Sequence, residues 1–172
     1  MSQALEDLRE LKGIPNFEDR VAREEYKYTT DRLEVVQINV GRVCNLACKH
    51  CHVEAGPART EVMDRKVMEA CLAVCREQKV ATIDITGGAP EMNPDFEWLV
   101  EEACKICGHV IVRTNLVILK EEKYRHLPGF YADHKVEVVC SLPYYRAKEM
   151  NRVRGDGTFE TAIEVIRETK PH

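Results

Sequence analysis

The chain has 172 residues, 44% of them apolar and 31% charged, with a formal net charge of −4. That length supports one domain with a real core. The acidic balance excludes a general polyanion-binding surface, so nucleic acid is not the expected partner. Residues 1–12 are polar and charged, without the apolar centre of a signal peptide. No apolar run approaches the ~18 residues that a bilayer span needs, so no membrane association is expected. Eight cysteines without a secretory signal point to a reducing, cytoplasmic setting and to metal or redox chemistry.

In chain order, Ser2 can cap a helix carrying Ala4, Leu5, Leu8 and Leu11, ended by Gly13 and Pro15. Residues 18–32 are charged, show little apolar periodicity and read as an arm without chemistry. Residues 1–32 are thus an N-terminal helical arm and 33–172 the core. Val35, Val36, Ile38 and Val40 mark a buried strand over 35–40. Four residues after it begins Cys44-Asn45-Leu46-Ala47-Cys48-Lys49-His50-Cys51, a C-x₃-C-x₂-C run.

Three thiolates on one short loop can hold three corners of a [4Fe–4S] cube, whereas ordinary four-iron clusters use four cysteines. The fourth iron is then open to a small molecule. Structural zinc is a rival, with His52 as a fourth ligand. Adjacent residues such as Cys51 and His52 seldom turn toward one ion, however. A disulfide framework suits small secreted chains. Inert buried cysteines seldom crowd three into eight residues.

Gly56-Pro57 marks a turn. A helix is predicted over 61–78, with Val62, Val67, Met68, Cys71, Leu72 and Cys75 among its apolar positions. Cys71 and Cys75 lie four apart and share a face, best read as packing. A second strand over 80–86 runs into Gly87-Gly88-Ala89-Pro90-Glu91. Paired glycines at a strand end let backbone approach a ligand closely. A helix over 93–106 carries Phe96, Leu99, Val100 and Ala103, and Cys104 and Cys107 close it as structural thiols. A third strand over 109–115 ends in Arg113-Thr114-Asn115, polar groups able to address a ribose or carboxylate. A short helix over 121–127 precedes Pro128-Gly129. The fourth strand, 135–141, leads to Ser141-Leu142-Pro143-Tyr144-Tyr145, and Cys140 is one of its apolar residues. A glycine turn over 152–159, with Arg154 as a possible carboxylate partner, enters a last helix to 170 that Thr158 can cap.

Strand and helix alternate four times. That pattern implies a parallel sheet with right-handed crossovers. Every polar motif falls at a strand's C-terminal end, where α/β sheets and barrels place their sites.

The cysteine run after a first strand resembles the radical S-adenosylmethionine (SAM) enzymes. The resemblance implies an α/β fold, a partial (β/α) TIM-like barrel with about four βα units present here. It implies a [4Fe–4S] cluster on Cys44, Cys48 and Cys51. SAM would chelate the unique iron and be held by Gly87, Gly88, Glu91, Arg113, Asn115, Ser141 and Arg154. In the common form of the glycine motif glutamate follows the glycines at once; here Ala89 does, and Glu91 comes two residues later. Longer strings, among them Gln37-Ile38-Asn39-Val40-Gly41-Arg42-Val43-Cys44, Asp84-Ile85-Thr86-Gly87-Gly88-Ala89-Pro90-Glu91-Met92-Asn93-Pro94 and Val112-Arg113-Thr114-Asn115-Leu116, resemble the arsenosugar-biosynthesis radical SAM/Cys-rich family. This implies transfer of a 5′-deoxyadenosyl radical to a methylated arsenic(III) substrate such as a dimethylated species. It also implies a small electron donor such as flavodoxin or ferredoxin. The alternative is a non-catalytic Fe–S or metal-binding module, or another substrate. Six βα units and a C-terminal Cys-rich region are expected of that family, so the chain is expected to be a fragment. Tyr144 and Tyr145 leave the fourth strand where they can wall off a radical or serve packing.

Overall fold

The structure, a computed structural model, describes residues 17–23 and 31–169. The chain divides after Arg32 into two compact units. Of the first, one helix is described, α1 (Phe17–Arg23), with Glu18 and Asp19 in its first turn, where the helix dipole favours them. The sequence signals for a helix at residues 1–12 lie outside the described residues.

The second unit is built on four parallel strands, β1 (Val35–Asn39), β2 (Thr82–Thr86), β3 (His109–Thr114) and β4 (Glu137–Cys140), in the order β1-β2-β3-β4. Parallel neighbours need a crossover, usually a helix. Here α2 (Arg65–Glu77), α3 (Phe96–Ile106) and α4 (Leu127–Asp133) provide it, and α5 (Ala147–Arg154) and α6 (Thr158–Glu168) follow β4. This is the expected α/β architecture, part of a (β/α) barrel wall.

Local sequence explains α2 and α3. Asp64 caps α2 by accepting from Val67 N–H at 2.9 Å. Met68, Leu72 and Cys75 then form its buried stripe, at the i, i+4, i+7 spacing of one helical face. On α3, Phe96, Leu99, Val100 and Ala103 do the same. These stripes share one core with Ile38, Ile83, Ile85, Val110 and Val112 of the strands. Because side chains alternate along a strand, the other face carries different chemistry.

That other face is polar. Gln37 and Asp84 are register partners on β1 and β2. Gln37 Nε2 donates to Asp84 Oδ2 at 2.7 Å. From β3, Arg113 reaches back with Nε to Asp84 Oδ1 and Nη2 to Asp84 Oδ2, both at 2.9 Å. The Asp84 side chain is 6% exposed and that of Arg113 45%. Asp84→Ala is expected to lower stability by about 1–3 kcal/mol through lost charge-assisted hydrogen bonds, nearer the low end because Arg113 can rehydrate. Urea unfolding measures it; an unchanged midpoint would show that the row contributes nothing.

Several boundaries differ from the sequence reading. Within the stretch 18–32, where the sequence shows little apolar periodicity, residues 17–23 are helical. The helix expected over 121–127 is instead two 3-10 turns, Val117–Lys120 and Glu122–Tyr124, and α4 begins at Leu127. Pro128 lies in its first turn, where a missing N–H costs nothing, so Pro128-Gly129 opens a helix rather than ending one. Helix α5 occupies part of what reads as a glycine turn. Thr158 does not act as the acceptor that caps α6. Its hydroxyl donates to Gly155 O at 2.8 Å, while Asn151 Oδ1 accepts from Phe159 N–H at 2.9 Å. Among the described residues, no helix is long and apolar enough to cross a membrane.

Candidate active site at the strand ends

The loop between β1 and α2 is held by peptide groups. Val40 N–H donates to Thr86 O at 2.9 Å, Arg42 N–H to Glu61 O at 2.8 Å and Gly56 N–H to Arg42 O at 3.0 Å. The end of β2 is bonded to the same loop: Gly88 N–H donates to Gly41 O at 3.0 Å and Ala89 N–H to Val43 O at 2.9 Å. Lys49 N–H reaches Val153 O, at the end of α5, at 2.9 Å. The cysteine loop is therefore fixed to β2, to the segment before α2 and to α5 without relying on its own side chains.

This close approach explains Gly88. A Cβ there would sit 2.4 Å from Val43 O and 2.9 Å from Arg42 O, both backbone atoms. Gly41, at φ +141°, is confined likewise, since a Cβ on it would stand 2.4 Å from Glu61 O. Sequence reasoning does not single out Gly41, although it stands in one of the strings given above.

A cavity of about 240 Å³ opens at the C-terminal ends of the strands. Cys44, Cys48 and Cys51 line it together with Gly87, Gly88, Arg113, Asn115, Ser141 and Arg154. Nine of the ten expected site residues thus meet at one place. Glu91 does not. It is 4% exposed, within a 3-10 turn after β2, and accepts from Tyr131 O–H at 3.3 Å. Burial pushes its carboxyl above the usual range, and its Oε2 is buried without a partner. The turn at Pro90 carries Glu91 behind the cavity wall, so the structure does not support it as a cofactor contact. Tyr144 and Tyr145 are 41% and 78% exposed and lie outside the lining. They neither pack in the core nor close the cavity.

The thiols fit iron ligation. Cys44 Sγ accepts from Leu46 N–H at 3.4 Å and Cys51 Sγ from Ala55 N–H at 3.3 Å. Such donors favour sulfur carrying negative charge. Burial holds the Cys44 and Cys48 thiols above the usual range, and the Arg154 charge works against it at Cys48. Binding a metal displaces those protons. Among the described residues no three His, Cys, Asp or Glu side chains converge where a single ion would sit. A cube instead presents separate irons to separate thiolates, so its ligands need not converge on one point.

The rest of the lining has room for an anionic ligand. Arg154 is 7% exposed; its Nη1 donates to Ser141 O at 2.8 Å, and its Nε is buried without a partner. A buried guanidinium with an unused donor is suited to a carboxylate. Arg113 is less suited, since Asp84 already takes two of its nitrogens. Ser141 is exposed, and its backbone carbonyl holds Arg154. Sequence reasoning misses Asp84, Gln37 and Asn45; only their places beside the motifs mark them.

A partial parallel α/β barrel with three loop cysteines at its mouth defines a class. The family model of the Radical SAM superfamily matches residues 38–172, and the chain belongs to that superfamily. Among curated proteins it is similar to the antilisterial bacteriocin subtilosin biosynthesis protein AlbA of Bacillus subtilis (strain 168), 25% identical over 75% of this chain and 29% of that one. It is also similar to the mycofactocin maturase MftC of Mycobacterium ulcerans (strain Agy99), 30% identical over 72% of this chain and 32% of that one. The chain therefore spans about a third of the length of these relatives. Streptococcus suis SuiB shares the fold. Its structure bound to S-adenosylmethionine aligns with TM-score 0.67 and 18% identity, covering 96% of this chain and 40% of SuiB. Its structure bound to precursor peptide SuiA aligns with TM-score 0.67 and 19% identity, covering 88% and 34%.

Proposed function

We propose that this protein is a radical SAM enzyme. Cys44, Cys48 and Cys51 bind a [4Fe–4S] cluster, and the strand ends bind SAM beside it. The observation that carries the reading is one cavity lined by three loop thiols and by Arg154 with its unused, buried Nε. When bound and reduced, the cluster supplies the electron that cleaves SAM to methionine and a 5′-deoxyadenosyl radical. The chain's own part is placement and shielding. Arg154 offers its free donor to the SAM carboxylate. Gly87 and Gly88 border the cavity with main chain, and their missing side chains let the end of β2 lie against the cysteine loop. Ser141 borders the region available to the ribose. Reduction of the cluster would call for an electron donor such as flavodoxin or ferredoxin.

For the substrate, the long strings that resemble the arsenosugar-biosynthesis family support a methylated arsenic(III) species, alkylated to an arsenosugar precursor. The precursor peptide held by SuiB favours a second reading, a peptide substrate. Anaerobic incubation with SAM, dithionite and either a dimethylated arsenic(III) compound or a peptide separates them. A 5′-deoxyadenosyl–arsenic adduct seen by mass spectrometry is expected. Release of 5′-deoxyadenosine without adduct from every arsenic species would remove the arsenosugar reading and leave the radical SAM one. Formation of neither adduct nor 5′-deoxyadenosine would remove both.

A further inference from the structure

Asn115 lines the cavity, yet it is only 6% exposed and both ends of its carboxamide are engaged. Its Oδ1 accepts from Ile118 N–H at 3.0 Å. Its Nδ2 donates to Asn45 Oδ1 at 2.7 Å and lies 3.7 Å from Cys44 Sγ, within donating range of a sulfur. Asn45, the residue after Cys44, passes the connection on, its Nδ2 donating to Glu121 Oε1 at 2.9 Å. A chain of side-chain hydrogen bonds therefore joins the cysteine loop to β3 and to the 3-10 turns that follow it.

The backbone beside Asn115 is unusual. Leu116 sits at φ 67°, ψ −38°, a conformation rarely adopted by a residue with a branched side chain, and it is 3% exposed. Such strain persists only where the surroundings over-determine it. Here Leu116 N–H donates to Thr114 Oγ1 at 3.2 Å, and the Ile118 N–H bond to Asn115 closes the turn from the other side. The turn leaves Asn115 pointing back at Cys44 rather than along the strand.

We infer that Asn115 is a positioning residue for the cluster, holding Cys44 Sγ and the Cys44–Asn45 backbone against β3, and is not a contact of SAM. The inference rests on the cluster-binding reading above. An N–H donor on a ligating sulfur stabilises the reduced, more negative cluster and raises its potential. Tying Asn45 to β3 fixes where Cys44 stands before iron arrives.

The test is a redox titration followed by electron paramagnetic resonance on anaerobically reconstituted protein, with iron counted and SAM binding measured. Asn115→Asp keeps the acceptor for Ile118 N–H but removes the donors. Asn115→Ser keeps a short acceptor, is uncharged and cannot reach the sulfur. Both variants are expected to show a more negative midpoint potential, Asn115→Asp the more so because its carboxylate repels added charge. Iron loss to a chelator is expected to quicken by about tenfold, as for other outer contacts of metal ligands. Wild-type potential with weakened SAM binding would overturn the inference and make Asn115 a SAM contact. Wild-type potential with wild-type iron retention would overturn it too. If neither variant folds, Asn45→Ala decides, since it cuts the loop tie and leaves Asn115 in place: faster iron loss supports the inference and unchanged retention sinks it. Failure of the unsubstituted protein to take up iron would remove the cluster reading and this inference together, whereas a bound cluster with no shift removes the inference alone.

Discussion

Anaerobic reconstitution of the Cys44→Ala, Cys48→Ala and Cys51→Ala proteins is expected to give no brown chromophore and near-complete loss of bound iron. The same substitution at Cys71, Cys75, Cys104, Cys107 or Cys140 is expected to leave both intact. The difference lies in where the thiols stand. Three share the cavity at the strand ends. Cys75 is fully buried and Cys71 packs against the same helix–sheet core. Cys107 donates to His109 O at 3.2 Å and Cys104 to His134 O at 3.7 Å, so both already have structural partners. Cys140 is exposed on β4, not in the core as its apolar neighbours suggest. With two thiolates a cube has too few anchors to persist, because each ligand fills a position that water holds poorly. Loss of the cluster in Cys104→Ala would overturn this assignment.

The second large effect is expected at Gly88. From the sequence, a bulky residue there should crowd SAM and leave the cluster in place. The structure changes that expectation. The space beside Gly88 is filled first by the carbonyls of Val43 and Arg42, which belong to the cysteine loop. Even Gly88→Ala must push that loop away from β2 and break the Ala89 N–H to Val43 O bond. Overpacking of this kind costs about 1–3 kcal/mol. At roughly 2–4 °C per kcal/mol for a domain of this size, the melting temperature should fall by about 2–12 °C. Iron content should fall with it, and SAM binding with both. A Gly88→Ala protein with full iron and an unshifted melting temperature would show that the loop yields easily and that the glycine serves SAM alone.

Much of this is legible in the sequence because the chemistry is local. The spacing of Cys44, Cys48 and Cys51 survives any detail of packing. Val35 to Ile38 and Thr82 to Thr86 read as strands because their alternation or apolar run has no competing helical period. Glu91 is misplaced by sequence reasoning for a definite reason. Counting from Gly88 puts it near the ligand, but the 3-10 turn begun by Pro90 swings it inward, and residue spacing does not encode that swing. Asn115 falls in the expected cavity with a different partner, since a strand-end polar residue faces whatever the next loop brings, here Asn45 from 70 positions away. The Asp84–Arg113 pair is invisible for the same reason, its members lying 29 positions apart. Helix α5 is hidden because Arg152 to Gly157 is dominated by turn-forming residues, and its N-cap, Arg146, makes no side-chain cap bond.

The way the cysteine loop is fastened bears on how such a site changes over generations. Its ties to β2, to Glu61 and to Val153 run through main-chain amides and carbonyls, which every amino acid but proline can supply in full. Side chains at Arg42, Val43, Ala47 and Lys49 are thus free to drift without moving the three sulfurs. A lineage can recolour the rim of the cavity for a new substrate while the iron-holding part stays put. Gly41 and Gly88, where any added atom meets a carbonyl, and Asn45, whose side chain ties the loop to Asn115, are the exceptions, and the freedom of the rest depends on their constancy.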